Sequence, residues 1–118
     1  MISTGLVVAA SDGLHEDGWC SSHLRLSLVA GCGANALRIG VWVKPQEGDA
    51  AAAVFTVMCD RAAPKVQVVP LAQPTDIRIP MTVLEGDEIS LRISTPHIAR
   101  NEVDQRNLGF ILSFLALE

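Results

Sequence analysis

Three histidines, several paired carboxylates and three cysteines are the residues through which this chain could do chemistry. None of them is arranged as a site on a single element. His15 and His23 are separated by an irregular stretch, and His97 lies far along the chain. No cysteine stands at metal-ligand spacing from any of them, so no metal site is written in the sequence. Carboxylates pair at Glu16-Asp17, Asp87-Glu88 and Glu102/Asp104. Acid–base use would require a cleft that drives one carboxyl's pKa upward. For Asp87-Glu88, in a turn after Gly86, solvation is explanation enough. There is no G-x-S-x-G elbow, P-loop or G-x-G-x-x-G. Cys20, Cys32 and Cys59 are odd in number and form no CxxC pair, so a complete disulfide framework is excluded. One bridge plus a free thiol stays open, and reduced, mostly buried thiols of a cytoplasmic protein are the expectation. The sequence therefore predicts no catalytic residue, no metal and no cofactor. A hydrolase or lyase using His97 and Asp104 would need a cleft that brings His15, His23 or His97 together with Asp104.

Binding chemistry has better candidates. Two polar segments, 12–21 and 96–107, have compositions that suit specific loops, and each directly precedes an expected strand. In an antiparallel domain both could lie at one end. Trp19, in the first, offers a flat apolar face for a sugar ring, with His23, His97, Asn101, Asp104 and Arg106 as polar partners for its hydroxyls or charge. The alternative is a tryptophan that plugs one end of the core. Asp104 and Arg106 share a face if the segment is extended. They form either a ligand site or a structural clamp in which Arg106 pairs with Asp104, Asp12 or Asp17. Trp42 is a second candidate platform, because it points opposite to Leu37, Ile39, Val41 and Val43.

These residues need a scaffold, and alternation with period two supplies it. Leu24, Leu26 and Leu28 alternate with Arg25 and Ser27. Leu37 to Val43, Phe55 and Val57, Ile77 and Ile79, and Ile89 to Ile93 alternate likewise. Val66 and Val68, flanking Gln67, are read the same way, with the apolar face inward. Turn signals separate the runs at Gly31 to Asn35, Pro45 to Asp49, Pro64, Gln73 to Asp76 and Glu85 to Asp87. Gly31-Cys32-Gly33 reads as a hairpin-like turn. Asp49 to Ala53, rich in alanine, is either one short helical turn or a loop. Leu6 to Ala10 is a candidate first strand beside the last. The last run, Leu108 to Leu117, is apolar on both faces, as in a covered central strand or one that meets a partner.

With 118 residues, 49% hydrophobic and 19% charged, the chain is expected to fold as one domain, 1–118. The predicted fold is all-β: an antiparallel two-sheet sandwich, jelly-roll-like. The net charge of −4 with scattered cations argues against nucleic acid. No apolar run is long enough for a membrane-spanning helix, and the N-terminus lacks a basic region before its short apolar run. A cytoplasmic location is expected.

Asp17-Gly18-Trp19 leads into Leu24-Arg25-Leu26-Ser27-Leu28. Val41-Trp42-Val43-Lys44 runs into Pro45. Asp104-Gln105-Arg106-Asn107-Leu108-Gly109-Phe110 precedes the last apolar run. In these motifs, which cover most of the chain in order, the sequence resembles the small β-sandwich accessory domains attached to bacterial glycosyltransferases of cell-surface polysaccharide synthesis. The resemblance implies a non-catalytic module whose partner is a glycan or the catalytic domain. It implies no glycosyltransferase activity, because no catalytic motif of those enzymes is present. The alternative is a structural or oligomerisation module that binds protein, or a second copy of itself, through an apolar sheet face rich in Leu115 and Leu117.

Overall fold

The computed structural model describes residues 1–44, 52–96 and 108–118. It is all-β, with no helix among the described residues. The strands are β1 (Ile2–Thr4), β2 (Leu6–Leu14), β3 (Trp19–Ala30), β4 (Ala34–Trp42), β5 (Ala52–Cys59), β6 (Ala62–Pro70), β7 (Thr75–Val83), β8 (Glu88–Ser94) and β9 (Leu108–Leu117). They form one hydrogen-bonded sheet in the order β6-β5-β8-β3-β9-β4-β7. In addition, β1 lies parallel to β9 and β2 antiparallel to β3.

The sheet curls until its two ends approach. No ladder joins β6 to β7. Instead, Lys65 Nζ donates to the Arg78 carbonyl at 2.8 Å, and Gln67 Nε2 donates to the Asp76 carbonyl at 3.4 Å. The result is a nearly closed, barrel-like sheet.

The twelve-residue β3 organises this curl. One of its edges pairs with β2 along most of its length. The other edge is divided: Trp19 to Ser21 pair with β9, and His23 to Val29 pair with β8. Because β8 and β9 share that edge, β3 connects the β8-β5-β6 side to the β9-β4-β7 side.

Alternation explains which side chains go inside. Leu24, Leu26 and Leu28 of β3, Leu37, Ile39 and Val41 of β4, Phe55 and Val57 of β5, Ile77 and Ile79 of β7, and Ile89, Leu91 and Ile93 of β8 are all buried. Full burial of one such side chain is worth about 1.5–3 kcal/mol. Phe55 and Phe110 meet edge to face in the core, with ring centroids 5.0 Å apart.

Several expectations are corrected. Val66 and Val68 point outward, at 67% and 62% exposure, while Val69 is buried. The reason is the edge position of β6: its inward-turned Lys65 and Gln67 find backbone acceptors on β7. Pro64 is not a turn residue but lies within β6, where an edge strand tolerates the missing N–H. Gly31-Cys32-Gly33 is not a hairpin turn, because β3 and β4 are not paired and β9 lies between them. Ala52 and Ala53, the described part of the alanine-rich stretch, belong to β5. The segment beside β9 is Ile2–Thr4, whereas Leu6–Leu14 pairs with β3. The first polar segment is mostly strand, since Asp12 to Leu14 end β2 and Trp19 begins β3. Leu115 and Leu117 are buried within this one chain, so neither serves as a free interface.

Candidate functional site

Trp19 is set in place by the turn before it. Gly18 adopts φ 87°, a conformation that glycine enters without steric cost. Gly18 N donates to the His15 carbonyl at 3.0 Å, and His15 N donates to the Trp19 carbonyl at 2.8 Å. The Asp17 carboxylate accepts from Trp19 N at 3.2 Å. From the other side, Leu112 N donates to the Gly18 carbonyl at 3.0 Å, which locks β9 against the turn.

The register then produces an arrangement that no local pattern shows. Ile111 of β9 is the direct partner of Trp19 on one side and of Trp42 on the other. Side chains opposed across adjacent strands share a face. Cys20, Phe110, Leu112 and Val41, their chain neighbours, are all buried. Trp19, Ile111 and Trp42 are therefore the outward row, and each is half-buried. Two strand spacings separate the tryptophan backbones by about 10 Å.

The same face continues along β9. Phe114 is the partner of Gly40 and of Ile2. A Cβ at Gly40 would collide with the Phe114 ring carbons, so the ring rests directly on the glycine backbone. The Arg38 guanidinium covers the ring at 5.5 Å from its centroid. Arg38 in turn pairs with the Asp76 carboxylate, whose hydrogen bond stabilises its charge. The chain has two tryptophans, three phenylalanines and no tyrosine. Phe55 and Phe110 build the core, and the other three aromatic residues gather on the outer face of β3-β9-β4. This is a partly exposed apolar platform with polar groups at its rim. Such a surface can stack a sugar ring and present partners to its hydroxyls.

His23 is exposed and outward on β3, two positions beyond Ser21, and is paired with Ser94. It lies on the β8 side of the division rather than in the tryptophan row. His97, Asn101, Asp104 and Arg106 lie outside the described residues. The described flanks of their segment both meet β3 between Trp19 and His23: Thr95 N donates to the Ser22 carbonyl, and Leu108 partners Ser21.

A second feature lies on the outer face of β8. Two shallow clefts share Asp60 and Ser90. One extends toward Ala9, Ser27 and Glu88, the other toward Met58 and Arg92. The Asp60 carboxylate they share is engaged by the fold. Asp60 Oδ1 accepts from Ser90 N at 3.1 Å, and the neighbouring Asp87 Oδ2 accepts from Leu84 N at 2.8 Å and from Arg61 at 3.3 Å. Among the described residues, no three His, Cys, Asp or Glu side chains are grouped to hold a metal.

All three thiols are free. Burial pushes the Cys20 thiol up to about 12, and burial also raises Cys59. A reactive cysteine needs the opposite shift, so neither is poised as a nucleophile. The roles of Ile111 and Phe114 were not visible in the sequence, where both sit inside one apolar run.

No family model, no curated protein and no solved structure matches this chain.

Proposed function

We propose that this chain is a non-catalytic carbohydrate-binding module that serves as an accessory to a glycosyltransferase, with the outer face of β3-β9-β4 as its glycan surface. The observation that carries the reading is the cross-strand row Trp19–Ile111–Trp42. Holding two half-buried tryptophans on one outer face leaves apolar surface in water that the core would otherwise claim, which makes sense if a ligand covers it. The accessory role and a bacterial origin rest on the motif resemblance around Trp19, Trp42 and Phe110. The three free thiols fit a reducing, cytoplasmic setting. In this reading the barrel-like sheet works as two layers of a jelly-roll-like sandwich, divided where β3 passes from β9 to β8.

The test is an NMR titration of the isotope-labelled protein with neutral and charged oligosaccharides, which detects even millimolar binding, about −4 kcal/mol. Saturable shifts at Trp19, Ile111 and Trp42, lost in Trp19→Ala and Trp42→Ala, support the proposal. Absence of shifts with every sugar counts against it.

A second reading draws on a different face. Val54, Met58, Val66 and Val68 are 44%, 47%, 67% and 62% exposed on the outside of β5 and β6, and Val54 is the direct partner of Val68. This apolar sheet face favours an oligomerisation module that pairs two copies of the chain. Sedimentation equilibrium would show a dimer at micromolar concentration that Val66→Lys dissociates. A monomer at every concentration tested counts against it.

A further inference from the structure

Arg25 of β3 and Arg92 of β8 are direct cross-strand partners, and both are exposed. Like charges placed opposite one another destabilise a sheet. The other described cations are matched: Arg38 with Asp76, Arg61 with Asp87 and Arg78 with Glu118, while Lys65 donates to the Arg78 carbonyl and Lys44 is also partnered. Among the described residues, Arg25 and Arg92 are the two Lys or Arg side chains without a hydrogen bond or ion pair. Carboxylates are near. Asp12 is the β2 partner of Arg25, and Asp60 shares a cleft with Arg92. Neither comes within ion-pair distance. A fold that satisfies its other described cations has left two of them side by side.

We propose that Arg25 and Arg92 form an anion-recognition site for the carboxylates of an acidic oligosaccharide. The class of ligand rests on the carbohydrate reading above, whereas the arginine pair does not. Three features favour it. Two guanidinium groups, each a planar fork of donors, suit a carboxylate with bidentate geometry. Hydroxyls flank the pair on both sides, with Ser27 opposite Ser90 in the next row and His23 opposite Ser94 in the row before. The site also continues the aromatic platform. The outward residues of β3 run Trp19, Ser21, His23, Arg25, about 20 Å along the strand, the length of an oligosaccharide rather than one sugar. Nucleic acid is disfavoured, because two arginines on a chain of net charge −4 supply few phosphate contacts.

The experiment compares an oligogalacturonate with its methyl ester, which removes the charge and keeps the sugar, and adds inorganic phosphate as a third probe. NMR titration reports both affinity and location. The acid is expected to bind at least about tenfold tighter than the ester, the equivalent of one charge-assisted hydrogen bond. Its shifts should centre on Arg25, Ser27, Ser90 and Arg92. Arg25→Gln with Arg92→Gln should erase the preference and leave ester binding at Trp19 unchanged. The same variant should melt higher than the parent at low salt, because the repulsion is gone. Equal affinity for acid and ester, with shifts confined to Trp19 and Trp42, would overturn this proposal and leave the carbohydrate reading standing. No binding of either sugar would overturn both. Binding of phosphate at the arginines without any sugar would overturn the assignment to an acidic glycan.

Discussion

Strands β6 and β9 look alike as text, since each carries apolar residues on both of its faces, yet the fold treats them in opposite ways. β9 runs through the middle of the sheet. Its inner face, Phe110, Leu112, Leu115 and Leu117, is core. Its outer face is flanked by neighbours and only partly covered, with Ile111 between two tryptophans and Phe114 against Gly40 and Arg38. β6 runs at an edge. Its valines at 66 and 68 face outward, and its lysine and glutamine turn inward to β7. What decides between inside and outside is therefore not the apolar content of a strand but what its neighbours can offer. A lysine turns inward when a carbonyl awaits it, because a satisfied polar group removes the main penalty of burial.

This contrast can be broken by measurement, most sharply at the core. Phe110→Ala should cost about 3–5 kcal/mol in urea denaturation, as expected for a buried aromatic that loses its packing partner. A cost no larger than that of a surface change would mean that β9 is not a central strand. The outer face comes next. Gly40→Ala should cost about 1–3 kcal/mol by forcing the Phe114 ring off its seat. Adding Phe114→Ala should recover part of that loss. If it does not, the two positions are not coupled as the register requires.

Alkali should affect the β9 side through Cys20, the partner of Phe110. Its thiol is held at about 12 against an ordinary value of 9.0. Its neutral form is therefore favoured by folding. That stability is complete below the unfolded value and is lost as pH rises through the folded one. At about pH 10 the loss should be roughly 1 kcal/mol, and Cys20→Ala should flatten this part of the pH profile. The smallest effect belongs to β6. Val66→Thr and Val68→Thr should each change monomer stability by no more than about 0.5 kcal/mol, as measured by thermal melting. A larger loss would show that this face is covered in solution.

Much of the scaffold was legible in the sequence. The alternations at Leu24 to Leu28, Leu37 to Val43 and Ile89 to Ile93 reveal strands and their inner faces, because in each the polar residues have nowhere to go but water. The same rule misplaced Val66 and Val68, because local pattern carries no information about acceptors on β7. The candidate site was legible only in its parts. Trp19 stood out in a small and polar context, and Trp42 because it points opposite to Leu37, Ile39, Val41 and Val43 in its run. Their alignment depends on β9 inserting between β3 and β4, which is a fact of long-range pairing. The Arg25–Arg92 juxtaposition is of the same kind, as it appears only once β3 and β8 are in register.

The junction of β6 with β7 has a dynamic consequence. A backbone ladder opens only when many bonds break together, whereas this junction hangs on side chains that can let go one at a time. Amide protons of β6 and β7 should therefore exchange with solvent well before those of β3 and β9, through openings far smaller than global unfolding. The barrel is closed by a clasp, and the cost of parting it can change by single substitutions at Lys65 or Gln67 while the architecture stays intact.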